Sequence, residues 1–232
     1  MKYKIKKIDS APPLSIDELS SYRKCYLGIS INNPFFRDKH LGLLLKWISS
    51  HFDECVIIIG DYLHRINEYI LHGNYGQEAI DSSVNRGDQI DLILQVALDI
   101  LPKNKFKIYR WKEFLDLHPQ AIPEKDRLTK LFKSHEKFNA DIIQSSTEFI
   151  ERLMQRGEPL YVSKDEAVVL STEYLLEEMA VFSVLISSGY FVQVYPGTQL
   201  TVLKDLANNE FPGLDTNLRD GVYIDLTIKK IK

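Results

Sequence analysis

The sequence is short of the residues and motifs that most often announce a chemistry. Only two cysteines occur among 232 residues. Cys25 and Cys55 each lie in an apolar, strand-like run, so buried free thiols in a reducing compartment are expected rather than a disulfide. There is no His-Glu-x-x-His and no closely spaced cysteine pair, so no metal site is expected. There is no Gly-x-Gly-x-x-Gly and no P-loop, which removes the usual equipment for dinucleotides and nucleoside triphosphates, and no cofactor is expected. The Gly-x-Ser-x-Gly elbow of α/β-hydrolases is missing, because Gly28-Ile29-Ser30 is followed by Ile31-Asn32. No histidine is placed to complete a Ser-His-Asp set. No apolar run approaches the length of a membrane span. The basic start, Met1 to Lys7, has no apolar segment behind it and does not read as a signal peptide, so a cytoplasmic protein is expected. Charge of one sign is also lacking: 29 Lys and Arg face 32 Asp and Glu, a net charge of −3. A polyanion would therefore have to use a local patch. No repeat, low-complexity tract or long linker divides the chain, and one domain over residues 1–232, acting as a monomer, is expected.

What is present is an ordinary globular composition, with 44% hydrophobic and 26% charged residues, organised as alternating strands and helices. Lys24–Ser30 is a short apolar strand. It ends in Asn32-Asn33-Pro34, where Asn33 suits an N-cap and Pro34 the first helical position. Residues 35–52 carry Leu41, Leu44, Leu45, Ile48 and Phe52 at helical spacing, with Trp47 at the edge of that face. Val56–Ile59 is a β-branched run stopped by Gly60-Asp61, the pattern of a central parallel strand. Strand, helix and strand make a right-handed βαβ unit. Ligands in such sheets bind beyond the carboxyl ends of the strands, where Ser30 and Asp61 both fall.

Further along, Tyr3–Ile8 is a strand within an otherwise irregular first twenty residues. Asp61–Leu71 is helical and carries His64, which reads as a partly exposed surface residue. Gly76–Leu101 is a helix with Ile80, Val84, Ile90, Ile93, Leu94, Ala97 and Leu101 on one stripe and a bend at Gly87. Lys103–Tyr109 alternates as a strand, and Trp111–Leu117 is a short helix. A long helix follows over Pro123–Arg156, with His135 on its apolar stripe as a hydrogen-bonded core residue. Lys125, Arg127, Lys130, Lys133 and Lys137 form its solvated side. Lys164–Phe182 is helical, capped by Ser163. Phe191–Tyr195 is a strand, Thr198–Ala207 a helix, and Val222–Ile228 a last strand before a basic tail.

Ser30 is the first candidate for chemistry. At a strand end before a helix N-terminus, its oxygen could be acylated while free N–H groups support developing charge. The same residues also describe an ordinary serine in a βα turn. Tyr174 and Glu178 form the second candidate. Four residues apart on a helix, they share a face amid Leu175, Leu176, Met179, Ala180, Val181 and Phe182. A glutamate there is either at the water edge or buried with a partner, and an incoming ammonium group would be such a partner.

Taken in order, the pieces resemble the tRNA-dependent cyclodipeptide synthases. They are Gly28-x-Ser30, Asn33, Phe36, a helix with Trp47 and Phe52, the strand ending at Asp61, Tyr174-x-x-x-Glu178 and Tyr195-Pro196. The resemblance runs from about Tyr22 to Tyr195. It implies an α/β, Rossmann-like fold with a mostly parallel sheet flanked by helices, similar to the catalytic domains of class I tyrosyl- and tryptophanyl-tRNA synthetases. It further implies an aminoacyltransferase that uses two aminoacyl-tRNAs and forms a diketopiperazine by ping-pong, covalent chemistry. By position, Ser30 would be the nucleophile, and Glu178 would hold the substrate ammonium and help move protons. Tyr174 would bind the aminoacyl group and take part in proton transfer. Tyr195 would support the substrate or oxyanion, and Gly28 would leave room for the ester. Tyr26, Ile58 and Phe182 would line the first aminoacyl pocket, and Asn33 is carried over as a substrate-binding residue.

Two departures accompany the match. One branch of the family has Tyr-His where this chain has Tyr195-Pro196. A second branch has Tyr-Pro and is the closer one, although Asn33 matches the first. Relatives also carry an arginine-rich helix after the second strand, whereas Gly76–Leu101 has only Arg86. The tRNA contacts are therefore assigned to Arg86 with Lys103, Lys105, Lys107 and Arg110, or to the long-helix lysines. A serine esterase or aminoacyl-tRNA deacylase, and a non-catalytic module that binds charged tRNA, are the competing readings.

Overall fold

The protein is described from a computed structural model covering residues 2–197, 199–211, 213–214 and 216–229. Among these residues six strands form one sheet: β1 (Lys2–Asp9), β2 (Lys24–Ile29), β3 (Glu54–Ile59), β4 (Phe106–Arg110), β5 (Val192–Pro196) and β6 (Val222–Lys229). Their order is β1-β6-β5-β2-β3-β4. The β1–β6 pair is antiparallel and all other neighbours are parallel. The helices are α1 (Ile16–Leu19), α2 (Asp38–His51), α3 (Arg65–His72), α4 (Gln77–Leu98), α5 (Trp111–Leu117), α6 (Ala121–Ser134), α7 (Glu136–Gln155), α8 (Lys164–Ser187) and α9 (Thr201–Ala207). This is the mixed α/β, mostly parallel architecture that the strand–helix alternation predicts.

The pleat sorts the strands' side chains into two cores. Cys25, Leu27 and Ile29 of β2, with Cys55, Ile57 and Ile59 of β3, face one side. There they meet Leu41, Leu44, Leu45 and Ile48 of α2 and Ile90, Leu94 and Leu98 of α4. Each large apolar side chain buried this way contributes about 1.5–3 kcal/mol. Tyr26, Val56 and Ile58 face the other side, under α8, whose Leu175, Leu176, Met179, Ala180, Val181 and Phe182 are all buried. A helix apolar on every side has to be enclosed, and α8 lies between the sheet side of this core and helices α6 and α7. Both cysteines are buried free thiols. No helix of the described residues is long and apolar enough to cross a membrane.

Several elements differ from expectation, each for a local reason. The first twenty residues contain α1, closed by a Ser15/Glu18 capping box. The expected Pro123–Arg156 helix is two helices. His135 is extended (φ −113°, ψ 104°), and its ring Nδ1 accepts the Phe138 N–H. It is therefore a half-buried cap rather than a core residue. Helix α8 continues past Phe182 to Ser187 because Ser183 through Ile186 stay buried. Gly87 does not interrupt α4, which runs unbroken from Gln77 to Leu98. A Cβ there would come within 2.5 Å of Arg110 Nη2 and 2.6 Å of Asp61 Cβ, so its glycine allows a close approach. Thr198, at the start of one expected helix, and the basic tail at 230–232 lie outside the described residues.

Candidate active site

The parallel strands β2 and β3 end together, Ile29 opposite Ile59, and Ser30 follows at the carboxyl edge. The segment after it is a tight turn closed by Asn33 N–H donating to Ser30 O at 3.1 Å. Asn33 then caps a single 3₁₀ turn, Pro34–Phe36, its Oδ1 accepting from Phe35 N. The Asn33-Pro34 pattern thus does what its chemistry predicts, but it starts only that short turn. Helix α2 begins at Asp38, so Ser30 does not sit at a long helix's N-terminus and gains little from a macrodipole.

That turn is held from below by a buried polar network. Asn32 Nδ2 lies 3.2 Å from His64 Nε2, and Arg86 Nη1 donates to Asn32 Oδ1 at 3.3 Å. Arg86 also pairs with Glu68 at 3.2 Å, and Ser82 donates to Glu68 at 2.7 Å. His64 is only 2% exposed, contrary to the surface position expected for it. Burial drives its pKa down to about 4, with the Glu68 charge opposing. Because Arg86 fixes Asn32 with its oxygen inward, the Asn32 amide donates and His64 Nε2 accepts. The ring proton then belongs on Nδ1, 3.2 Å from the Asn67 amide nitrogen, and the pairing is completed when that amide is turned to present its oxygen. This tautomer follows from satisfying the network. The signal for it was weak in sequence, since the partners come from three separated segments.

A cavity of about 390 Å³ opens beside Ser30, and Gly28, Tyr174, Glu178, Phe182 and Tyr195 also line it. Six of the residues singled out in the sequence therefore share one space. Helix α8 supplies Tyr174, Glu178 and Phe182 from one face, as the four-residue spacing predicts. The Tyr174 hydroxyl is close enough to Ser30 to be stabilised by its hydroxyl, although burial, then the Glu178 charge, pushes its pKa well above the ordinary tyrosine value. Tyr195 accepts at its hydroxyl from Asn33 Nδ2 at 2.9 Å and packs edge-on against Phe36. Its pKa is raised by burial and by Glu178, with Asn33 acting in the opposite direction. Gly28 keeps the floor open: a Cβ there would already be at contact distance, 3.4 Å, from the Phe182 ring. Tyr26 and Ile58 stand behind this wall in the core, Tyr26 against the Phe182 ring with centroids 5.2 Å apart.

Glu178 makes no ion pair or hydrogen bond to a side chain among the described residues, and burial pushes its pKa to about 7. The adjacent Glu177 is elsewhere. Its carboxylate accepts from Arg65 (3.1 and 3.2 Å), Lys125 (2.8 Å) and Trp111 Nε1 (3.1 Å). Asp61 does not reach the cavity either. It accepts from Arg110 Nε at 2.6 Å and Trp111 N at 3.0 Å, tying the ends of β3 and β4 together.

The five cations assigned to tRNA separate into two groups. Arg86 and Arg110 lie at the carboxyl edge of the sheet, paired with Glu68 and with Asp61 and Asp88. Lys103, Lys105 and Lys107 lie at or near the amino end of β4. They pair with Asp99, with the Ser49 and Phe52 carbonyls, and with Glu54. Sequence reasoning missed the exposed Arg152 on α7, which reaches the cavity mouth. It also missed Asn67, Ser145, Gln193 and Gln199 in the lining. Only Gln193 left a trace, as one polar residue in the apolar strand Phe191–Tyr195. No group of three metal-binding side chains occurs among the described residues.

The architecture recurs in solved cyclodipeptide synthases. The chain is similar to a CDPS from Fluoribacter dumoffii with a TM-score of 0.80 and 21% identity, over 100% of this chain and 99% of that one. It is similar to a cyclodipeptide synthase from Candidatus Glomeribacter gigasporarum bound to Phe-tRNAPhe (TM-score 0.61, 16% identity, 90% and 89% covered). A Mycobacterium tuberculosis protein also matches (TM-score 0.67, 16% identity, 90% and 87% covered). Its structure is described as demonstrating that cyclodipeptide synthetases are related to type I tRNA synthetases. No protein-family model matches the sequence, and no curated protein matches it. The fold is that of the cyclodipeptide synthases, at sequence identities low enough that the activity has to be argued from the site.

Proposed function

We propose that the protein is a tRNA-dependent cyclodipeptide synthase of the Tyr-Pro branch, joining two aminoacyl groups through an aminoacyl-enzyme on Ser30. The observation that supports this most is the shared cavity, in which a serine hydroxyl faces Tyr174 while an unpaired, desolvated Glu178 stands one helical turn further on. An aminoacyl ester needs no activation by ATP. What it needs is an aligned nucleophile, a grip on its ammonium and support for a tetrahedral oxyanion.

In the first step Ser30 Oγ forms a bond to the ester carbonyl carbon, the bond to the tRNA oxygen breaks, and the serine proton leaves with the tRNA hydroxyl. Tyr174, beside Ser30, is the group positioned to relay that proton. Glu178 holds the ammonium, and with a pKa near 7 it can accept a proton from it, which frees the amine. That amine attacks the carbonyl of the second aminoacyl-tRNA and releases the second tRNA. The new terminal amine then attacks the Ser30 ester, closing the ring and restoring the hydroxyl. Tyr195, anchored by Asn33, supports the oxyanion. Tyr26, Ile58 and Phe182 form the wall behind the first side chain. Arg152, in the cavity lining, is the cation placed for the tRNA 3′ end, whereas Arg86 is taken up by Asn32 and Glu68. Such substrates put the reaction in the cytoplasm.

Mass analysis of the medium of an expressing culture tests the proposal. A new cyclic dipeptide should appear with the wild type and disappear with Ser30→Ala. Release of free amino acid alone would favour the esterase reading. Binding of charged tRNA without either product would favour a non-catalytic module.

A further inference from the structure

Three side chains that line the cavity carry buried polar atoms with no hydrogen-bond partner among the described residues: Gln193 Oε1, Gln199 Nε2 and Ser145 Oγ. Their residues are 3%, 5% and 2% exposed. Asn67 Oδ1 is a fourth such atom, but turning its amide would let His64 Nδ1–H satisfy the oxygen. A buried polar group left unpaired costs about 1–3 kcal/mol. Gln193 is notable because the strand around it is apolar and its ladder neighbours are Tyr26 on β2 and Tyr223 on β6. The Tyr26 hydroxyl is also unpartnered among the described residues. These groups converge from β5, the segment before α9, and α7, on the side of the sheet where Ser30 and Glu178 lie.

Resting on the function proposed above, we infer that one of the two aminoacyl groups carries an uncharged, hydrogen-bonding side chain. It is a hydroxyl or carboxamide, as in serine, threonine, asparagine or glutamine, and Gln193, Gln199 and Ser145 read it. The unpaired atoms include an acceptor, a donor and a hydroxyl that can act as either, which is the complement of a neutral polar group. An acidic side chain would need a buried cation. The lining offers only Arg152, whose side chain is 47% exposed and 3.9 Å from Glu148. A second cation would compete with the ammonium for Glu178. A purely apolar side chain would leave the three polar groups unpaired, the circumstance in which sites discriminate most strongly.

The test offers the purified full-length protein a mixture of all aminoacyl-tRNAs and identifies the cyclic dipeptides by mass spectrometry. The wild type should give products with serine, threonine, asparagine or glutamine in at least one ring position. Gln193→Met, close in size, should lower the ratio of these to all-apolar products by about tenfold or more, and Gln199→Leu should shift it in the same direction. Wild-type products built only from apolar residues would overturn this inference and leave the synthase reading intact. An unchanged ratio in both variants would also overturn it. Absence of any cyclic dipeptide and of any Ser30 adduct would overturn the synthase reading, and this inference with it.

Discussion

Glu177 and Glu178 are adjacent on α8, yet one belongs to the scaffold and the other to the cavity. Burial pushes Glu177 toward neutrality, but Arg65 and Lys125 more than reverse this and hold its carboxyl below the usual range. It links α8 to Arg65 at the start of α3, Trp111 of α5 and Lys125 of α6. Glu178, about 100° further round the helix, meets no cation among the described residues, and burial leaves its pKa near 7. The same side chain in the same helix thus becomes a structural anion or a proton-exchanging group according to which side of α8 it faces. A carboxylate whose charge is already matched has nothing left to offer a substrate, whereas one left unmatched at a cavity wall does.

Substitution should separate the two roles. Glu178→Gln should lower cyclic dipeptide formation by at least about 100-fold while the far-ultraviolet circular dichroism is unchanged. Equal activity would remove Glu178 from the mechanism. Glu177→Gln should take the carboxylate from two cations and cost about 2–3 kcal/mol, below the value for a fully buried pair because Arg65 and Lys125 are partly exposed. Chemical denaturation would read this directly.

The pH dependence sharpens the contrast further. In the folded state Glu178 binds its proton more tightly than in the unfolded chain, so its ionisation weakens the fold as pH rises from about 4.5 through about 7. Glu178→Gln should therefore stabilise the protein at pH 8 by at most about 3 kcal/mol and change little at pH 4. A stability gain that did not depend on pH would contradict the assigned burial. Smallest of all, Gly87→Ala should cost about 1–3 kcal/mol, because its Cβ collides with the Arg110–Asp61 pair, 2.5 Å from Arg110 Nη2 and 2.6 Å from Asp61 Cβ. No measurable loss on denaturation would mean that pair is not held as rigidly as Glu177.

Much of the fold was readable because the information was local. Val56–Ile59 had to be a buried strand, the 35–52 spacing had to be a helix, and Tyr174 and Glu178 had to share a face. The order β1-β6-β5-β2 was not readable, since pairing of β1 with β6 joins the two ends of the chain through contacts no local pattern records. The break at His135 carries neither Gly nor Pro, and only its ring capping Phe138 N reveals it. His64 looked like a surface residue because nothing in the local sequence marks it out for a buried partner. Its burial depends on Asn32, Asn67 and Arg86, which the fold assembles. In the cavity the α8 pair was recognisable by its spacing and Ser30 by its place at a strand end, whereas Gly28 was reached only through the family resemblance. Ser145 and Gln199 were not, because each is an ordinary polar residue until tertiary packing closes water away from it.

The most direct measurement is the mass of the intact protein after brief exposure to aminoacyl-tRNA and an acid quench. The account predicts a wild-type mass increase equal to one aminoacyl group, mapping to Ser30 after digestion and absent from Ser30→Ala. Cyclic dipeptide formation without any adduct on Ser30, or an undiminished adduct on Ser30→Ala, would contradict it.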